Sequence, residues 1–155
     1  MAVLQKFVRK VKSLLGGSAG GVIQKTPRII PASVHGIRPE LVAWQAIRTC
    51  EALQRRGFKA YVVGGAVRDM LLGVKPKDFD VATDATPEEV KACQKRAIII
   101  GRRFRLVHVI FGREVIECAT FRSLDTEGVR KDAAGRVISD NIFGEMWEDA
   151  ARRDF

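Results

Sequence analysis

The stretch Val62-Val-Gly-Gly-Ala-Val-Arg-Asp69 constrains this chain more than any other, because it fixes a strand-to-helix junction at two glycines. Residues 59–63 (Lys-Ala-Tyr-Val-Val) read as a strand delivered into Gly64-Gly65, and residues 66–72 as a helix stopped by Gly73. Glycines at such a junction let backbone N–H groups come close to a ligand, since neither carries a Cβ. The helix start adds positive potential, so the junction suits a phosphate group. Arg68, one turn inside the helix, has two options: a forked contact to phosphate, or a pair with Asp69. Taken alone, the same turn also fits a plain tight connection.

Nine residues further on comes Asp78-Phe-Asp80, opening a segment to residue 83 that alternates like a strand. In a strand, residues i and i+2 project from one face about 6–7 Å apart. Both carboxylates would then point one way while Phe79 and Val81 pack inward. Two bare carboxylates repel unless a cation lies between them, and Mg²⁺ is held in this way, by one or two carboxylates plus substrate phosphates. Two such ions can activate a hydroxyl and stabilise a leaving pyrophosphate. The pair equally fits a strand running into a solvated Asp-rich turn. Glu117, within Val115–Phe121, is costly to bury unpaired, so it reaches a metal, a basic partner or solvent. Asp154, near the last residue, is the other candidate for a third carboxylate. Arg152 and Arg153 can instead form i,i+4 pairs with Glu148 and Asp149. Arg102-Arg103-Phe104-Arg105 suits nucleotide phosphates and base stacking, or a solvated approach to a hairpin. His108, alternating with valines in a strand, reads as a packed or hydrogen-bonded residue.

The remaining pattern sets the fold class. Pro39 opens a helix in which Leu41, Trp44, Ile47, Cys50 and Leu53 recur every three residues, and Gly57 ends it. Thr86-Pro-Glu-Glu89 is a capping box for a helix to about residue 95. Residues 97–100 are a short strand, and 105–111 and 114–121 form a hairpin about Gly112-Arg113. The polar stretch 123–140 reads as a loop, and 145–153 as a helix. An α+β fold follows, a mixed sheet containing an antiparallel pair with helices packed on it.

Charge divides the chain in two. Of 27 basic residues, seven fall in residues 1–39 without a single acid, whereas the rest is nearly balanced, 20 against 18. Residues 1–37 read as a basic flexible tail, and 38–155 as one folded domain. Such a tail attracts polyanions. A basic arm for nucleic acid is the favoured reading; an amphipathic helix over residues 1–15 resting on a membrane surface, a targeting peptide and a solubilising tail are the others. No stretch approaches the roughly 18 apolar residues of a spanning helix. The three cysteines are widely spaced, without a CxxC pair, which disfavours a disulfide framework or structural zinc and fits a reducing, cytoplasmic compartment. Neither GxGxxG nor GxxxxGK[ST] is present, so dinucleotide and P-loop chemistry are set aside.

In order along the chain, VVGGAVRDMLLGVKPKDFDVATDATPEEV, GRRFRLVHVIFG, EVIECATFR and EDAARRDF resemble the head domain of the bacterial poly(A) polymerase and tRNA nucleotidyltransferase family, class II of the polymerase β-like superfamily. The likeness runs from about residue 38 to Phe155. It implies a five-stranded head sheet and two Mg²⁺ ions held by Asp78 and Asp80. It also implies that Gly64, Gly65 and Arg68 handle the triphosphate of ATP, and that Glu117 is the third acidic position. Arg152, Arg153 and Asp154 match the family's Arg-Arg-Asp motif, associated with the incoming ribonucleotide. The implied reaction moves AMP from ATP to an RNA 3′ hydroxyl and releases pyrophosphate. The stretch from Ile99 to His108 is similar to the poly(A) polymerase branch, because Arg105-Leu106 stands where CCA-adding enzymes usually have Gly-Thr after a Phe. The family's neck, body and tail, which select the base and hold RNA, are expected beyond Phe155, making this chain a truncated head. A CCA-adding enzyme and a non-catalytic basic RNA-binding module remain the alternatives.

Overall fold

The computed structural model describes residues 28–102, 104–124, 130–131, 137–139 and 143–153. The tail as far as residue 27, Arg103, most of the polar stretch 123–140, and Asp154 with Phe155 lie outside the described residues. A helical turn, α1 (Ala32–His35), and a 3-10 turn (Pro39–Leu41) precede α2 (Trp44–Gln54), β1 (Ala60–Val63) and α3 (Gly65–Leu71). Next come β2 (Asp80–Thr83), α4 (Pro87–Cys93), β3 (Ala97–Ile100), β4 (Leu106–Phe111) and β5 (Glu114–Thr120). A small ladder, β6 (Arg130–Lys131) with β7 (Val137–Ser139), and α5 (Met146–Ala151) follow.

Five strands form one mixed sheet in the order β1-β2-β5-β4-β3, with β2 and β5 parallel and every other neighbouring pair antiparallel. One face is closed. Val81, Cys118, Val107, Val109 and Ile116 meet Ala46 and Leu53 of α2 and Val90 of α4 in the main core. α2 lies against β1, β2 and β5, and α4 against β3, β4 and β5. Burial pushes the Cys118 thiol up to about 12, so it packs as a small apolar group, and all three cysteines are free. The register carries Asp80, Glu117 and His108 to the opposite face, where Tyr61, Ile98 and Val115 are partly exposed. Among the described residues no helix is long and apolar enough to cross a membrane.

Five expectations change. The helix expected from Pro39 splits, with Val42 and Ala43 extended, because Leu41, Val42 and Ala43 turn inward to pack on the core. Its three-residue stripe is only partly its buried face: Leu53 is buried and Leu41 and Cys50 pack on the core, but Trp44 is 56% and Ile47 40% exposed, while Ala46 and Thr49, outside the stripe, are buried. A repeat of three slips around a helix of 3.6 residues per turn, so it cannot stay on one face. The strand expected from Asp78 starts at Asp80, since Val63 is the last residue of β1 able to pair with it. The stretch 123–140, expected to be all loop, contains the β6–β7 ladder, and α1 lies inside the stretch read as tail.

A buried hydroxyl relay ties the sheet to α4. Thr83 is fully buried; its hydroxyl donates to the Lys59 carbonyl (2.6 Å) and accepts from the Ala85 N–H (3.1 Å). The Thr120 hydroxyl donates to the Ala85 carbonyl (2.6 Å), and α4 then opens on the Thr86–Glu89 capping box. Thr83→Val keeps the shape but strands both partners of the hydroxyl. It is expected to cost about 2 kcal/mol, lowering the urea midpoint at unchanged slope. An unchanged midpoint would show that the relay adds no stability.

Candidate active site

Asp80 occupies the point where three strands meet. It pairs with Val63, the last residue of β1, on one side and with Glu117 of β5 on the other. Glu117 in turn stands opposite His108 of β4, so Asp80, Glu117 and His108 form one row across the sheet. Immediately after Val63, Gly64 turns the chain with φ 72° and ψ −144°, a conformation that L side chains rarely adopt. A Cβ there would lie 3.2 Å from Asp80 Oδ2. The glycine therefore lets the backbone turn directly against the carboxylate.

The electrostatics follow from this crowding. Burial, and then the neighbouring Glu117 carboxylate, hold the Asp80 carboxyl above its ordinary pKa; Asp78 adds to the rise and Arg153 opposes it. Asp78 is exposed just ahead of β2, with Phe79 buried between the two acids. Glu117 is not buried: its side chain is 56% exposed, so the open face relieves the cost expected of it. Its basic neighbour is His108, with Nε2 3.4 Å from Glu117 Oε1. That nitrogen is itself buried and makes no hydrogen bond. Among the described residues no group of three His, Cys, Asp or Glu side chains is placed to hold a metal ion alone. Asp154 lies outside the described residues.

Arg68 takes the second of its two options, donating from Nε (2.9 Å) and Nη2 (2.8 Å) to Asp69 Oδ1. Its guanidinium also folds over Gly65, where a Cβ would meet Nη2 at 3.5 Å, an ordinary contact. α3 has only seven residues, so its dipole is short, and backbone access with the Arg68 charge is what the junction offers.

The C-terminal helix delivers a cation to the same place. Arg153 donates to Asp149 Oδ2 (2.7 Å) and is close enough to Asp80 to lower its pKa. Asp149 is buried and accepts a second bond from the Arg122 N–H (3.2 Å), which fixes α5 to the end of β5. Glu148 does not form the expected pair with Arg152. It accepts instead from the Ser123 hydroxyl (2.8 Å) and from the Glu145 N–H (2.7 Å) at the start of α5, which holds it away, and Arg152 reaches the Ser123 carbonyl (3.4 Å). The basic cluster before β4 is dispersed: Arg105 pairs with Glu88, Phe104 lies under the Arg122 guanidinium at 5.0 Å, and Arg102 is exposed without a described contact to the acidic row. Arg103 lies outside the described residues.

Two participants escaped the sequence reading. His108 opposite Glu117 follows from the Gly112-Arg113 turn, which pairs Phe111 with Glu114 and so fixes each pair behind it. Asp149 was read only as a surface partner; its burial depends on tertiary docking that no local pattern encodes.

Comparison with known proteins bears on the family and the fold. Residues 60–155 match the family model described as the poly A polymerase head domain. Poly(A) polymerase I of Haemophilus influenzae is 47% identical over 82% of this chain, and that of Salmonella typhi 45% identical over 96%. The chain spans about a third of their length, 29% and 34% respectively. Among solved structures, the CCA-adding enzyme of Bacillus stearothermophilus in complex with CTP covers 76% of this chain and is covered over 26% of its own, with 33% identity and a TM-score of 0.55. The chain belongs to the poly(A) polymerase head-domain family.

Proposed function

We propose that this chain supplies the nucleotidyl-transfer head of an enzyme that adds AMP from ATP to RNA 3′ ends. The row of Asp80 and Glu117, with Asp78 just ahead of it and Arg153 beside it, carries this reading. Relatives named poly(A) polymerase I support it. In the reaction a ribose 3′ oxygen bonds to the α-phosphorus as the bond to the bridging oxygen breaks, and pyrophosphate departs. The chain's part is positioning and charge. Gly64 and Gly65 give the triphosphate access to backbone, Arg68 and Arg153 set positive charge against it, and Asp80 is held firm by two ladder neighbours.

Magnesium suits this donor set. Asp78 and Asp80 offer hard oxygen ligands; burial first, and then the Glu117 and Asp78 charges, hold the Asp80 carboxyl above its ordinary pKa, and a divalent cation would relieve the repulsion part of that rise. Substrate phosphates and water would supply further oxygen ligands. When bound there, magnesium supplies activation of the attacking hydroxyl and stabilisation of the leaving pyrophosphate.

The test is incorporation of each labelled NTP into an RNA primer, by this chain alone and joined to the C-terminal two-thirds of the Haemophilus influenzae relative. Incorporation from ATP only is expected from the joined protein, and Asp80→Ala should lower it on the order of 10³-fold or more. Incorporation from both CTP and ATP would move the assignment to CCA addition, the activity named for the Bacillus stearothermophilus neighbour. No incorporation by either would leave a non-catalytic RNA-binding module.

Stability against pH gives a check that needs no turnover. A carboxyl with a pKa raised by folding binds more protons in the folded state. Stability therefore falls as pH rises from the ordinary carboxylate range through the raised Asp80 value. In EDTA near neutral pH, Asp80→Asn should melt higher than the wild type, and added Mg²⁺ should raise the wild-type midpoint but not the variant's. Equal Mg²⁺ shifts in both would remove Asp80 from the metal site.

A further inference from the structure

Away from the acidic row, α2 and the α4–β3 connection enclose a cleft of about 350 Å³ lined by Arg48, Arg55, Lys95 and Arg96, with no carboxylate in its lining. Three arginines elsewhere are matched: Arg68 with Asp69, Arg105 with Glu88 and Arg153 with Asp149. Here only Arg55 has an acidic partner, Glu51 at 3.6 Å, both well exposed. Arg48, Lys95 and Arg96 are exposed and make no ion pair among the described residues. Four like charges drawn together against the single exposed carboxylate of Glu51 are unfavourable in the isolated chain, which is the condition a bound polyanion relieves.

Trp44 closes one end of this cleft. The indole is braced edge-on by Phe111, with centroids 5.3 Å apart at 80°, yet 56% of the residue remains exposed. A large aromatic held in one orientation beside guanidinium groups is the combination that stacks unpaired bases while cations follow the backbone. Trp44 also lines a second cleft, of about 500 Å³, which contains Lys75, Lys77 and Asp78. Glu40 and Glu114 line that one too, so with Asp78 its carboxylates outnumber its two lysines, and the excess positive charge belongs to the first cleft. The two clefts share Trp44 and end at one carboxylate of the proposed metal site.

We propose that these clefts form a track for single-stranded RNA, with phosphates over Arg48, Lys95 and Arg96, a base stacked on Trp44, and the 3′ end directed past Lys75 and Lys77 to Asp78. The proposal rests on the adenylation reading for its direction but not for its binding, and it locates the RNA upstream of the reacting end. Sequence-independent contact of this kind suits an enzyme that must accept many 3′ ends.

The test is fluorescence anisotropy of a labelled oligo(A) with the 155-residue chain, without ATP or Mg²⁺, over a range of salt. The variant Arg48→Glu/Lys95→Glu/Arg96→Glu should bind at least tenfold more weakly. Its log–log salt dependence should flatten by about two, since each single-strand phosphate contact contributes about −0.7. Lys59→Glu/Lys91→Glu/Arg113→Glu, the same change in net charge at exposed positions outside both clefts, should stay within about twofold of wild type. Circular dichroism melts establish that each variant is folded. In Trp147→Phe, which leaves Trp44 as the sole tryptophan, oligo(A) should quench the emission over the same concentration range. Equal losses in the two triple variants, or unquenched Trp44 emission at saturating RNA, would overturn the track. A protein that transfers AMP while indifferent to the cleft reversal overturns the track alone. One that binds RNA through the cleft but transfers nothing supports the track and overturns the adenylation reading alone.

Discussion

Val81 and Cys118 face each other across the parallel β2–β5 ladder on the buried side of the sheet, and the same register sets Asp80 beside Glu117 on the other. The two outcomes are inseparable, because a slip of one residue would bury both carboxylates and expose the core. Apolar burial thus holds two like charges abreast that would otherwise separate. Burial, and then the Glu117 charge beside it, hold the Asp80 proton more tightly than usual. A site built this way is pre-organised for a cation by packing on the opposite side of the sheet, not by mutual attraction among its own groups.

The other parts of the site hang on this pairing. Gly64 can turn against Asp80 only because β1 ends at Val63, one residue short of a clash. α5 returns to the same edge because β5 ends nearby: Gly144 donates to the Phe121 carbonyl (2.9 Å), and Asp149 and Glu148 gather backbone N–H groups of Arg122 and Leu124. A Cβ at Gly144 would come within 2.5 Å of Ser123, so the contact is backbone against backbone. That fit is what carries Arg153 to Asp80, from 73 residues further along the chain.

Most of the fold was legible because it is written in local chemistry. The capping box at Thr86, the two-residue turn at Gly112-Arg113 and the double glycine at 64–65 each specify backbone directly, and the structure follows them. What was illegible depends on partners far away. The helix through Trp44 was identified, but only part of the face it buries, since the stripe of large residues and the buried stripe Ala46, Thr49 and Leu53 share Leu53 alone. The acids at 78 and 80 and Glu117 stood out by type and spacing, whereas Arg105 was spent on Glu88 and Phe104 on Arg122, pairings no local pattern announces.

The placement of β3 at the sheet's rim has a colloidal consequence. Ala97-Ile-Ile-Ile100 is a short apolar β segment with one unpaired side, the kind of edge on which a second molecule can add a strand. Lys95 and Arg96 precede it and Arg102 follows, all exposed, so two copies approaching rim to rim bring like charges together first. The same cations that would attract a polyanion therefore act as gatekeepers against self-association. Dissolved salt, by screening them, weakens both effects together, which ties the protein's solubility to the ionic strength of its surroundings.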